Sequence, residues 1–177
     1  MKRFQITAAI LLLVSSLGCG KENDYDEPEA FSFVVYPGAR YLGELTEAQK
    51  QGHRALKPNE EAPPIAVYDT EASVADVATF YAKSYGYGEV APDATNNLSA
   101  TKPAAYYRTG DLAADTKSIA TLLEQLQFGT DVSKAQGAYK AAEIGARPNR
   151  PRVTVQRPYF NVKTSQVVDR TVILMSR

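Results

Sequence analysis

Apolar and polar positions fall into three regimes along the chain. Residues 6–14 are apolar apart from Thr7, with Lys2 and Arg3 before them and the small-residue exit Ser15-Ser16-Leu17-Gly18-Cys19 after them. Lys21–Ala30 holds five acidic residues, one basic residue and a proline, and little that could be buried. From Phe31 onward, short strand-like and helix-like patterns follow one another to the last residue.

In this third regime Phe31–Tyr36 reads as a strand, stopped by Pro37-Gly38. Leu45–Leu56 reads as a helix, with Thr46 and Gln49 spaced as a capping box. Ile65–Tyr68 is a second strand. The clearest helix follows: Val74, Val77, Ala78, Tyr81, Ala82 and Tyr85 share one face, Ser73 and Asp76 suit its start, and Gly86 suits its end. Tyr87–Val90 and Pro103–Arg108 read as strands around a polar loop, Ala91–Lys102. Ile119, Leu122, Leu123 and Leu126 form the stripe of a helix over 116–128, closed by Gly129. Thr130 or Asp131 caps a further helix to Ile144, with Val132, Ala135 and Tyr139 inward. Gly145–Pro151 is a loop. Arg152–Phe160 and Arg170–Ser176 are strands flanking a polar turn at 161–166, and the unbroken apolar run Val172–Met175 marks a central strand. These elements predict one α+β domain over 31–177: a mixed or antiparallel sheet, about four helices and a C-terminal β-hairpin.

The apolar head is too short to span about 30 Å of hydrocarbon at roughly 1.5 Å per residue, so residues 1–18 read as a secretory leader. Leu17-Gly18-Cys19 resembles the end of a bacterial lipobox, although Ser16 stands where that motif usually has leucine. The resemblance implies a diacylglyceryl group on the Cys19 sulfur, cleavage just before Cys19, and a membrane partner reached through palmitate-type acyl chains. Cys19 is the only cysteine, so it has no disulfide partner within the chain, and lipidation accounts for it. Each buried methylene contributes about 0.8 kcal/mol, and two or three chains together anchor firmly where one is marginal. Gly20 is not the aspartate associated with inner-membrane retention, which implies an outer-membrane lipoprotein facing the periplasm. Residues 19–30 then form an acidic, disordered tether.

Charge and composition narrow the function further. Loss of Lys2 and Arg3 with the leader leaves 18 basic residues against 20 acidic ones, so no overall field draws the domain to nucleic acid. The mature body has no cysteine beyond Cys19 and no tryptophan, but it has eleven tyrosines. It therefore folds by packing, with rings buried and hydroxyls placed at polar positions. His53, the only histidine, reads as a solvent-facing helix residue. One histidine supplies neither a serine-type base system nor a zinc ligand set, and no cofactor is expected. Asp69, Glu71, Asp76, Asp111 and Asp115 lie near element ends, where capping explains them and a carboxylate-and-tyrosine hydrolase is the competing reading.

Tyr36-Pro37-Gly38-Ala39, Tyr68-Asp69-Thr70 followed by Val77–Tyr81, and Arg157-Pro158-Tyr159 with Thr171-Val172-Ile173 together resemble a group of uncharacterised bacterial lipoproteins. That resemblance implies one small α+β domain behind a lipidated leader and carries no activity. The remaining signal is a charge imbalance. Residues 145–177 hold seven basic residues against Asp169 alone, and Arg147, Arg150, Arg152 and Arg157 are candidates for binding an anionic ligand or an acidic envelope protein. The reading is a non-catalytic binding or scaffolding lipoprotein.

Overall fold

A computed structural model describes residues 33–91, 104–145 and 151–176. Cys19, the acidic tether, Arg147 and Arg150 lie outside the described residues. The elements in chain order are β1 (Arg40–Tyr41), α1 (Gly43–Leu56), β2 (Ile65–Thr70), α2 (Val74–Ser84), β3 (Ala104–Asp111), α3 (Leu112–Gln125), a 3-10 turn (Val132–Lys134), β4 (Ala138–Gly145), β5 (Arg152–Arg157), β6 (Tyr159–Asn161), β7 (Gln166–Val168) and β8 (Thr171–Ser176). Six strands form one antiparallel sheet in the order β1-β2-β8-β5-β4-β3, and β6 and β7 form a separate hairpin. The fold is a single α+β domain.

Strand residues alternate between the two sheet faces. On the first face Ala66, Tyr68, Ala142, Val153, Val155, Ile173 and Met175 pack against Val77, Ala78, Tyr81 and Ala82 of α2. These are the residues that the helical spacing placed on one stripe. On the second face α1 and α3 cover Tyr139, Ala141, Val67 and Val172 with Ala48, Leu112, Ile119 and Leu123. β8 lies between β2 and β5 as a central strand, and its Val172, Ile173 and Met175 are fully buried. Burial of each such side chain contributes about 1.5–3 kcal/mol.

The helix ends follow local chemistry. Ser73 Oγ accepts from Asp76 N (3.1 Å) at the start of α2, and Asp111 Oδ1 accepts from Ala114 N (2.9 Å) at the start of α3. Gly86, with φ of 73°, follows α2 as expected. α1 departs from the expected capping box. Its N-cap is Leu42, without a side-chain cap bond. Thr46 instead sits fully buried, its Oγ1 donating to Leu42 O and accepting from Val67 N, both at 3.0 Å. With Leu42 N donating to Val67 O (2.8 Å), the start of α1 closes the edge of β2.

Four element expectations change. Phe33–Tyr36 has no strand pairing. The chain turns at Gly38, and Arg40–Tyr41 takes the place beside β2, while Tyr36 N donates to Tyr81 Oη (3.1 Å). Tyr87–Val90 is loop, although Ala91 after it bridges Tyr106. The helix expected over 130–144 is a single 3-10 turn followed by β4. Gly137, at φ 104°, breaks the helical path, and Ala138–Gly145 is claimed by strands on both sides. Among the described residues there are thus three α-helices where about four were expected. The C-terminal antiparallel pair is β5 with β8, joined through the β6–β7 hairpin, because Pro158 has no N–H to continue β5. Asn161 Oδ1 accepts from Lys163 N (3.0 Å) and Thr164 N (3.3 Å) to form the polar turn.

Candidate functional site

The second sheet face, between α1 and α3, carries the buried polar residues Asp69, Glu143, Thr154 and Gln156. They fall into two networks. At the β3–β4 side, Glu143 accepts from Arg108 Nε (3.3 Å) and Thr154 Oγ1 (2.9 Å). Arg108 Nη1 also donates to Tyr139 Oη, and Tyr139 Oη donates to Asp115 in the first turn of α3. The Arg108 guanidinium carbon lies 5.2 Å from the Tyr139 ring centroid. Burial, reinforced by the bond to Asp115, pushes the Tyr139 hydroxyl up to about 12. Gly110 makes this possible: a Cβ there would stand 2.3 Å from the Tyr139 ring.

At the opposite side, Asp69 has no exposed side-chain surface and is held by two arginines. Arg40 donates through Nε to Oδ1 (3.2 Å) and through Nη2 to Oδ2 (3.1 Å), and Arg170 Nε donates to Oδ2 (2.9 Å). Tyr159 Oη donates to the same Oδ2 at 3.4 Å. Arg170 Nη1 also pairs with Glu71. Burial next to the Asp69 carboxylate moves the Tyr159 hydroxyl upward.

These networks assign the five carboxylates singled out by sequence to separate places. Asp76 and Asp111 serve helix starts, Asp115 meets Tyr139, and Asp69 and Glu71 bind arginines. Tyrosine and carboxylate do converge, but every such carboxylate is already engaged by arginine or tyrosine, and both tyrosines are pushed toward the protonated form. Among the described residues no group of three or more His, Cys, Asp and Glu side chains gathers as a metal site.

Of the four arginines, the structure describes Arg152 and Arg157, and the fold separates these two. Arg152 opens β5 and Arg157 ends it, so at about 3.3 Å per residue they are roughly 17 Å apart. Arg157 Nε donates to Asp169 Oδ1 (2.8 Å) and its Nη1 to Glu71 O (3.0 Å). That contact holds the Asp169 carboxyl below its usual range. Arg157 is thus engaged in intramolecular contacts at the surface, away from Arg152. His53 does not face solvent as expected. It is half-buried on α1, and its Nε2 is enclosed without a bond partner among the described residues.

Sequence reasoning missed the open edge of β3. Ala91 N donates to Ala105 O and Ala91 O accepts from Tyr107 N, both at 2.9 Å. By strand alternation the Tyr107 carbonyl and both backbone groups of Thr109 face the same way, away from β4. Among the described residues nothing bonds them. Beside this edge, on the α2 face, a cleft of about 360 Å³ is lined by Val74, Ala75, Tyr107, Thr109 and Lys140. The only hint in the sequence was the polar composition of the stretch before β3. Comparison with family models, with curated proteins and with solved structures gives no match.

Proposed function

We propose that this chain is a lipid-anchored protein of the bacterial envelope whose α+β domain binds an extended segment of another envelope protein along β3, without catalysing a reaction. The observation that carries this reading is the outward edge at Tyr107–Thr109, which no described residue pairs, opening on the cleft below α2. An exposed row of backbone donors and acceptors is a template for an added strand. Ala91 already uses the neighbouring station of that edge in this way. The incoming segment would place an apolar side chain between Tyr107 and Val74, and an acidic one near Lys140. Anchorage rests on the Lys2-Arg3 start, the apolar run and Cys19. It would hold the domain within reach of partners at the membrane, with residues 20–30 as the spacer.

Two measurements test the two halves. Intact mass of the native product should show an acylated mature terminus at Cys19, and Cys19→Ser should move the protein from the membrane fraction to the periplasmic fraction. A photoreactive residue at Ala75 should crosslink a partner, and Thr109→Pro should abolish that crosslink while leaving the melting temperature nearly unchanged. Proline there removes the outward N–H and changes the cleft wall, and leaves the β4 bonds made by Arg108 and Gly110 in place. The binding half is lost if crosslinking survives Thr109→Pro. It is also lost if the purified chain hydrolyses esters, glycosides or phosphates and Asp115→Asn or Glu143→Gln removes that activity.

A further inference from the structure

The large apolar residues exposed on the described surface are Val34, Val35, Leu56 and Val167. Leu56 and Val167 stand singly in the sequence, which is ordinary for a protein surface. Val34 and Val35 are consecutive, 42% and 38% exposed, at the start of the described chain. Aromatic residues accompany them. Phe33, Tyr36, Phe80 and Tyr87 are half-buried and pack against the core on the α2 face. Tyr36 N donates to Tyr81 Oη (3.1 Å), and the Tyr36 ring meets Phe80 edge-on with centroids 5.1 Å apart. Tyr87 N donates to Ala82 O (2.8 Å). The valines are thus held near the C-terminal half of α2, at the far end of that helix from the β3 cleft, which Val74 and Ala75 line.

Tyrosine, with an apolar ring and a polar tip, suits the headgroup level of a bilayer. Lys83, one turn on from Phe80, and Glu89, two residues on from Tyr87, are both exposed and offset one another, so the patch favours a zwitterionic surface over a charged one. Two valines with partly covered rings bind a membrane only weakly from free solution. An anchor at Cys19 changes this. Thirteen residues separate Cys19 from Phe33, and a flexible chain of that length has ends about 20 Å apart. Docking then becomes an intramolecular step, at an effective concentration on the order of millimolar for a short linker.

We infer that Val34 and Val35, backed by Tyr36, Phe80 and Tyr87, seat the domain on a zwitterionic lipid surface. This rests on the lipid-anchored reading above. The valines enter the headgroup level, while Leu56, on α1 across the sheet, faces away from the bilayer. The β3 edge, at the other end of α2, stays open to a partner.

The chain has no tryptophan, so a single introduced indole reports its own surroundings. Val34→Trp and Leu56→Trp chains, purified with the native terminus, are reconstituted in phosphatidylcholine vesicles with brominated acyl chains. Flotation with the vesicles reports the anchor, and quenching reports the patch. Val34→Trp should shift its emission to the blue and be quenched several-fold more strongly than Leu56→Trp. Adding Val35→Asp to the Val34→Trp chain should restore its emission, with the melting temperature unchanged because Val35 is exposed. If the chains do not float, the anchored reading and this one fall together. If they float and Val34→Trp is quenched no more than Leu56→Trp, as when the patch serves a protein partner instead, only the docking inference is overturned. It is also overturned if quenching survives Val35→Asp, since nearness to the anchor alone would then account for it.

Discussion

Asp69 has no water-accessible side-chain surface, but its two arginines are not equivalent. Arg40 is 59% exposed and Arg170 27%. Water already solvates most of the Arg40 guanidinium, so the Arg40 contact behaves largely as a surface pair. Arg170 lies deeper and bridges Asp69 to Glu71. Loss of one partner from a buried pair costs about 3–5 kcal/mol, whereas exposed pairs contribute at most about 1 kcal/mol. Arg170→Met should therefore destabilise the domain by about 3 kcal/mol in urea unfolding, and Arg40→Met by about 1 kcal/mol or less. Equal losses would mean that the two contacts share the Asp69 charge evenly. At this scale the sequence singled out Asp69 as a carboxylate near an element end and placed Arg170 at the start of a strand. Their pairing was not legible, because it joins positions 101 residues apart.

Among the elements, β4 shows most directly how local pattern and fold compete. Val132, Ala135 and Tyr139 are spaced as on a helix, and the alanine-rich stretch after them favours one. The segment becomes a strand because β3 and β5 present eight and five partners to it. Gly137 at φ 104° supplies the break. Tyr139 then turns its ring over Gly110 of β3, which has no Cβ to obstruct it. Gly110→Ala forces the ring away and breaks the Arg108–Tyr139–Asp115 chain that docks α3 on the sheet. Overpacking of this kind costs about 1–3 kcal/mol. The variant should melt lower, and hydrogen exchange should quicken in the first turn of α3 before it does in α2. The helices α1 and α2 were legible because their apolar stripes and, for α2, the Ser73 cap are local features. The 33–36 stretch was misread for the converse reason: its apolar residues look like a strand, but the place beside β2 belongs to Arg40–Tyr41 and the start of α1.

For the molecule as a whole, Tyr81, Tyr139 and Tyr159 all have hydroxyls shifted upward by burial. Folding thus keeps their protons on. In the unfolded chain each tyrosine ionises near 10.0, whereas in the native domain Tyr139 ionises near 12. The stabilising contribution is full below pH 10 and disappears as pH rises through 12. The melting temperature should fall across that window, and Tyr139→Phe should flatten part of the decline. A profile unchanged by Tyr139→Phe would show that this ring does not contribute to alkaline unfolding. The α+β class, the α2 stripe and the central β8 run could all be read from neighbouring residues, since periodicity, caps and apolar runs act over a few positions of chain. The separation of Arg152 from Arg157, the engagement of the buried carboxylates and the β3 edge that no described residue pairs belong to the assembled fold alone. Each depends on which strand lies beside which, and that is decided by burial summed over both faces of the sheet.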